Sequence, residues 1–363
     1  MFTFAGKLHI NNFSCIMANV IKIKKGLDIN LKGKASDVLL NGGKSESYAI
    51  VPDYYNGILP KVVAKVGEKV KAGSVLMIDK NRPEIKFVSP VSGEVTAVNR
   101  GEKRKVLSIV VKPDAQIEYE EFGKKNVASL QGAEVKEVLL NAGMWPFIKQ
   151  RPYDIVAAPL DTPRDIFVSA FYSAPLAPNF DFIVKGQEAD FQTGLNALAK
   201  LTNGKVYVGV RSGSVVSGMK GVEIVEVEGP HPAANVGVQI NHIKPVNKGE
   251  VVWTVNPADV IVIGRLFNKG VADFSRMVAI TGSETTERGY VKTISGCTIK
   301  SLVNGKVLGQ EHIRIISGNV LSGTKVMKDD YLGAYDNQIT VIPEGDETHD
   351  FFGWATPGFG KFS

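Results

Sequence analysis

Few groups in this chain have the type and spacing for chemistry. There are two cysteines, Cys15 and Cys297, and five histidines, His9, His231, His242, His312 and His349. A zinc or iron–sulfur site would need CxxC or HExxH spacing, and neither occurs. Glu223, Glu226 and Glu228 in VEIVEVEG read as the wet side of a strand, not as an acid/base pair. Asn41-Gly42-Gly43-Lys44-Ser45 ends like a phosphate loop, but Val38 stands where the first glycine is required. Gly209-Val210-Arg211-Ser212-Gly213 is not GxSxG, and no GxGxxG follows a strand. Cys297 has no partnering base in the sequence and reads as a small buried residue. No reaction centre stands out.

The elements that must position these groups are those of ordinary globular domains. The 363 residues are 44% hydrophobic and 22% charged, with mean hydropathy near zero. That composition supports two or three cored domains and excludes disorder, collagen and coiled coil. No run approaches the roughly 18 to 20 apolar residues of a membrane span, so the chain is not expected to cross a bilayer by itself. Residues 1–16 lack the features of a signal peptide. With Met17 as the start they read as a non-native or upstream extension, and a reducing cytoplasmic setting is expected. From Met17 to Pro113 there are 18 basic and 9 acidic side chains, against 25 and 28 in the rest. The whole positive excess lies in the first third. It reads either as a solvated face or as a face toward an anionic surface or acidic partner. Nucleic acid is not expected, because the basic residues are not interleaved with exposed aromatics.

Three blocks follow one another. Residues 17–113 are short β-branched runs punctuated by glycine and proline, the pattern of a small β sandwich or barrel. Within them VGEKVKAGSVL and SPVSGEVTAV resemble the biotinyl/lipoyl-type barrel-sandwich hybrid. In a carrier of that type, Lys80 would be the modified lysine. The hairpin around it is about two residues too long and contains Pro83, so Lys80 reads better as an ordinary solvated lysine. Residues 126–275 open with a helical stripe, Val135, Val138, Leu139 and Ala142, closed by Gly143. Then come the apolar runs YDIVAAPL, DIFVSAF, DFIVK, KVYVGVRSG and DVIVIGRLF, the helix-like ADFQTGLNALAKL, and the proline-containing loop EGPHPAANVGVQINHIKPV. Buried strands alternating with helices predict an α/β layer with a partly parallel sheet. Residues 276–345 have a ββα-type order with a short helix at Cys297–Leu302, resembling a β-grasp module of the soluble-ligand-binding (SLBB) kind.

Six segments in order extend the resemblance over nearly the whole chain: IKIKKGLDI, KFVSPVSGEVTAVNRGEKRKVLSIVV, EGPHPA, IRIISGNVLSGTK, YLGAYDNQITVIPEG and FFGWATPGFGKFS. Together they resemble the A subunit of the sodium-translocating NADH:quinone reductase. The resemblance implies an α/β multidomain fold: barrel-sandwich hybrid, Rossmann-like α/β domain lacking its glycine-rich loop, and SLBB-like β-grasp. Residues 346–363 would begin a truncated C-terminal domain. It also implies a peripheral subunit on the cytoplasmic face of the bacterial inner membrane. Its partners would be the other subunits, chiefly those in the membrane, and FMN and iron–sulfur centres would sit on those other subunits. The isolated chain is not expected to be catalytic.

The block order further resembles the flavin- and NADH-binding subunit of complex I and the C subunit of the Rnf complex. In those relatives a glycine-rich loop cradles the flavin phosphate. The equivalent stretch here, Asn141 to Lys149, has one glycine and bulky side chains, so the flavin site is expected to be lost or filled. Two readings remain for it. Trp145, Phe147 and Ile148 could form an apolar slot for a quinone, with Lys149, Arg151 and Tyr153 as donors and His231 as a nearby proton source. Alternatively, Trp145 and Phe147 plug the old cavity and Arg151 pairs with a carboxylate.

Overall fold

The computed structural model describes residues 19–309 and 311–346. The expectation for residues 1–16 therefore lies outside the described residues, as does that for 346–363 beyond Asp346.

Four sheets carry the fold. A seven-stranded sheet has the order Asn19–Lys22, Glu223–Glu228, Val206–Val210, Ile166–Ser169, Val252–Val255, Ile148–Arg151 and Ile155–Val156. The first five strands are parallel and the last two antiparallel to their neighbours. The three inner parallel strands, Val206–Val210, Ile166–Ser169 and Val252–Val255, are buried on both faces, which is why they read as continuous apolar runs. From Ile166–Ser169 the chain moves outward through two strands. It then returns to lay Val252–Val255 on the other side of that first strand, making a topological switch point there.

Two apolar runs that read as strands by composition are helices. DFIVK lies in Phe180–Val184, and DVIVIGRLF lies in Pro257–Lys269. The second has local signals of a helix. The Asn256 side chain accepts from the Ala258 amide, Pro257 opens the first turn, and Gly270 closes the end with φ +78°. It lacks an amphipathic stripe because it is covered all round, with every residue from Pro257 to Phe267 buried. It crosses Glu188–Ala199 closely; a Cβ at Gly264 would fall 1.7 Å from the Asp190 carbonyl oxygen. The loop EGPHPAANVGVQINHIKPV also contains a helix, Val236–Ile243.

The barrel sandwich pairs a four-stranded sheet (Tyr48–Ile50, Val106–Pro113, Gly93–Arg100, Lys69–Val70) with a three-stranded one (Pro60–Val62, Val75–Asp79, Lys86–Val88). The β-grasp block has six strands, with Ser275–Thr281 parallel to Gln338–Pro343 at its centre. Its short helix runs Ile299–Val303, two residues later at its start than the sequence suggests. The chain's first two described strands pair outside the barrel sandwich. Asn19–Lys22 extends the seven-stranded sheet beside Glu223–Glu228, and Leu39–Leu40 extends the β-grasp sheet beside Gly289–Ile294. The segment between them ties the two sheets together before the barrel begins, and one continuous hydrophobic core runs through all three blocks.

Candidate functional site

The stretch expected to present a row of ligand-facing groups splits into two environments. Helix Gly132–Asn141 ends at Gly143, whose φ is +68°. A Cβ there would approach Val88 of the barrel sandwich to 2.6 Å, so glycine is required for packing against that module. Met144, Trp145 and Ile148 are fully buried and Phe147 nearly so. The Trp145 indole N–H donates to the Ala157 carbonyl at 2.8 Å, and its ring meets Trp253 edge-on at 5.3 Å. Trp145 and Ile148 are therefore core residues and offer no slot.

Strand alternation separates the next four side chains. In Ile148–Arg151 successive side chains point to opposite faces. Ile148 and Gln150 point inward, and Gln150 donates to Asp161 and accepts from the Ala158 amide. Lys149 and Arg151 point the other way, into a cleft of about 600 Å³. Phe147, Phe171, Tyr172 and Tyr335 give this cleft aromatic walls. Thr254 and Asn256 line it from the end of Val252–Val255, and Ser169 from the end of Ile166–Ser169. It thus sits at the carboxyl ends of the two strands that flank the switch point, where open α/β sheets hold their ligands. The start of helix Val236–Ile243 forms another wall, and no side chain caps it.

The electrostatics of the cleft are uneven. Among the described residues its lining has three charged groups, Lys149, Arg151 and Asp154. The two cations share the one carboxylate through loose pairs: Lys149 Nζ is 3.5 Å from Asp154 Oδ2, and Arg151 Nη2 is 3.4 Å from Oδ1. A well-made charge-assisted bond would be about 2.7 to 2.9 Å. The Lys149 ammonium also lies 3.9 Å from the centre of the Tyr335 ring. Arg151 Nε is buried without a hydrogen-bond partner.

Three other residues singled out by the sequence lie elsewhere. Tyr153 is 79% exposed and does not line the cleft. His231 does not line it either: its Nδ1 meets Ser173 Oγ at 3.0 Å, its amide donates to Asp28, and its carbonyl accepts from Leu27. The expectation that it stands beside Lys149 and Arg151 is corrected, because residues 27–28 hold it beneath the leading segment. Lys80 is exposed, but its hairpin is pinned. Arg82 pairs with buried Asp79 at 2.7 Å and donates to the carbonyls of Val156 and Gly57. A swinging arm needs a projecting tip, and this one is held against the α/β block.

The remaining sequence motifs have structural uses. A Cβ on Gly43 would come 2.9 Å from the Ser301 carbonyl oxygen and one on Gly42 2.7 Å from Val291, so the glycines of the phosphate-loop look-alike allow close approach to the β-grasp helix and to strand Gly289–Ile294. Burial pushes the Cys297 thiol above its ordinary pKa, which fits an inert core residue. Among the described residues no group of three or more His, Cys, Asp or Glu could hold a metal ion. No helix of the described residues is long and apolar enough to cross a membrane.

Sequence reasoning missed Asp154, Phe171, Tyr172, Thr254, Asn256 and Tyr335. The strand-end residues had a usable signal, since the switch-point rule directs attention to the ends of buried parallel strands. Tyr335 had none, because it reaches the cleft from the β-grasp block.

A second polar cluster joins that block to the α/β block. Buried Asp259, on helix Pro257–Lys269, pairs with buried Arg276 at 2.9 Å. Burial raises the Asp259 carboxyl to about 6, although Arg276 pulls the other way. Burial also acts to raise Asp273, but Arg265, Lys269 and Ser275 outweigh it and hold that carboxyl near 2.

Three family models match the chain in order. They are the NqrA N-terminal barrel-sandwich hybrid domain over residues 21–114, the NqrA second alpha/beta domain over 130–272, and the NQRA C-terminal (SLBB) domain over 277–328. The A subunit of the Na(+)-translocating NADH-quinone reductase of Neisseria meningitidis serogroup A is 37% identical over 349 residues, 95% of this chain and 78% of that protein. The subunit of the same name from Hahella chejuensis is 37% identical over 350 residues, with the same coverage of each chain. Among solved structures, an NAD+-reducing [NiFe]-hydrogenase in the H2-reduced state is similar with TM-score 0.37 and 11% identity, over 50% of this chain and 41% of that one. That likeness is too low to carry an argument. The three models in order and the near full-length identity are decisive: the chain belongs to the NqrA family, the A subunits of the Na(+)-translocating NADH-quinone reductases.

Proposed function

We propose that the chain serves as a peripheral subunit of a sodium-pumping NADH:quinone reductase, docked on the membrane subunits from the cytoplasmic side. In this reading it holds no flavin or iron–sulfur centre of its own and supports quinone reduction by taking the quinone ring into the cleft beside Lys149 and Arg151.

The observation that carries the ligand reading is the placement of those two cations on the open face of Ile148–Arg151, with aromatic walls, at the switch point. A quinone needs a flat apolar slot and one or two donors for its carbonyl oxygens. The rings of Phe147, Phe171, Tyr172 and Tyr335 give the slot, and Lys149 and Arg151 give the donors. A flavin phosphate does not fit the stretch equivalent to the glycine-rich loop. A backbone cradle needs exposed amides and small residues, whereas Met144, Trp145 and Ile148 are fully buried there and Gly143 is pressed against Val88.

The docking part draws support from the leading segment. Leu27, Ile29 and Leu31 alternate along it and are 69%, 42% and 39% exposed, flanked by exposed Lys24, Lys25, Lys32 and Lys34. Exposed apolar groups flanked by basic ones in this way suit a surface that is both apolar and acidic.

Titration of the chain with a short-tailed ubiquinone tests the ligand reading. Saturable binding that Ser322→Trp abolishes, by placing an indole across the mouth from an exposed position, is the expected result. Binding unaffected by that substitution would remove the cleft assignment. Co-sedimentation with membranes carrying the other subunits tests docking. Association that weakens between low and physiological salt is expected, and association indifferent to salt would count against an electrostatic dock.

A further inference from the structure

We propose that the cleft selects the negatively charged form of a quinone ring over the neutral form, through the one positive charge that Asp154 leaves uncompensated between Lys149 and Arg151. This inference rests on the ring-binding reading above and names the charge state of the ligand.

Among the described residues the cleft lining contains two cations and one carboxylate, and the other lining residues are neutral. Both ion pairs are long and Arg151 Nε has no partner among the described residues, so neither cation is fully engaged by Asp154. Of the buried carboxylates that also act on Lys149, Asp259 is paired with Arg276 and burial raises Asp336 toward its neutral form. The open start of helix Val236–Ile243 adds positive character on the same side; the Cβ position of Gly237 lies 4.0 Å from Arg151 Nη1. An adjacent cavity of about 640 Å³ provides the contrast. Its lining has Asp28, Asp37 and Asp181 against Lys34 and Arg211. Arg211 is already committed to the carbonyls of Val227 and Gly229 and lies over the Phe171 ring. That cavity carries net negative charge, so the two spaces favour opposite ligands although both lie at the same end of the sheet. The aromatic walls specify a planar ring, and the surplus cation specifies an oxygen on that ring bearing negative charge.

The test uses the full chain and two probes of nearly the same shape. These are 2-hydroxy-1,4-naphthoquinone, ionised at neutral pH, and its neutral methyl ether, 2-methoxy-1,4-naphthoquinone. The ionised ring is expected to bind roughly tenfold or more tightly than the ether, as charged hydrogen-bond partners outrank neutral ones in a partly dry site. The preference should fade as pH falls through the hydroxyl's own titration. Arg151→Met, which leaves Lys149 balanced by Asp154, should bring the two affinities together by weakening the ionised ring more than the ether, which loses one neutral-ring donor only. Asp154→Asn should widen the gap, and asparagine tolerates the positive φ of 53° at that position. Equal affinities in the wild-type chain, or a preference unchanged in both variants, would overturn the charge selection while leaving the ring-binding reading intact. Failure of both probes to bind would overturn both. Displacement of the ionised ring by inorganic phosphate at comparable concentration would show a general anion site and overturn the ring requirement.

Discussion

The two faces of the segment that runs from Gly143 through Arg151 have opposite characters. On one face Met144, Trp145, Ile148 and Gln150 are packed or hydrogen-bonded, and the barrel sandwich presses on the backbone through Val88. On the other face Lys149 and Arg151 stand in an open cleft with unfinished ion pairing. The difference teaches that a tightly packed face and an open cleft can adjoin on one strand. The large buried side chains of the first face fix the strand that carries the two cations of the second; in the proposed reading they also take the place of a phosphate cradle. The alternatives posed by the sequence, plug or slot, apply to different residues. Trp145 is a buried core residue, and Arg151 both pairs with a carboxylate and faces open space.

If this division is right, substitutions on the closed face should affect stability and those on the open face should affect ligand binding. The largest effect is expected from Trp145→Ala, at about 3 to 5 kcal/mol, because a full indole would leave a cavity and the Ala157 carbonyl would lose its donor. Chemical denaturation would report it, and a loss under about 1 kcal/mol would mean that the closed face is not packed as described. Asp259→Ala should cost a comparable 3 to 5 kcal/mol by leaving Arg276 buried without a counter-charge. Gly143→Ala should cost about 1 to 3 kcal/mol, since the residue combines positive φ with a clash against Val88.

The two unusual carboxylates at the junction give opposite pH dependence. Asp273 is depressed to about 2, so its stabilisation is present above the unfolded value near 4 and is lost as pH falls from about 4 to 2. Asp273→Asn should therefore lower stability at pH 7 by about 2 kcal/mol and flatten the acid limb in that window. Asp259 is raised to about 6, so its protonated form favours the folded state. That contribution is fully present below about pH 4 and fades as pH rises through about 6. Asp259→Asn should remove the slope between pH 4 and 6, read from thermal midpoints across that range. The smallest effect on stability belongs to the open face: Arg151→Met should change it by less than about 1 kcal/mol, since its pair with Asp154 is long and partly exposed.

Much of this architecture was legible in the sequence because periodicity and turn chemistry are local. The stripe Val135, Val138, Leu139 and Ala142 formed the buried side of a helix ending just before Gly143, and the short glycine-punctuated runs formed the barrel sandwich. Composition misled where tertiary cover overrode it, since a helix buried all round has the same apolar content as a central strand. Asn256-Pro257 and Gly270 were the better guides there. The pairing of Asn19–Lys22 and Leu39–Leu40 with distant sheets was not legible, because nothing local names the partner of an edge strand. The site was half legible. Lys149 and Arg151 were found, but grouping Trp145, Phe147, Ile148, Lys149, Arg151 and Tyr153 as one ligand-facing set overlooked the alternation that separates Lys149 and Arg151 from Ile148 and leaves Tyr153 in solvent. Tyr335 enters only through the folded arrangement of the blocks, whereas Asp154 comes from the turn that follows the same strand.

The central claim, that side chains at 144–148 fill the space where a flavin phosphate would sit, is tested most directly by incubating the purified chain with excess FMN. After gel filtration the protein peak is then read for flavin absorbance. The account predicts a colourless peak; one equivalent of FMN travelling with the protein, in contact with residues 144–148, would contradict it.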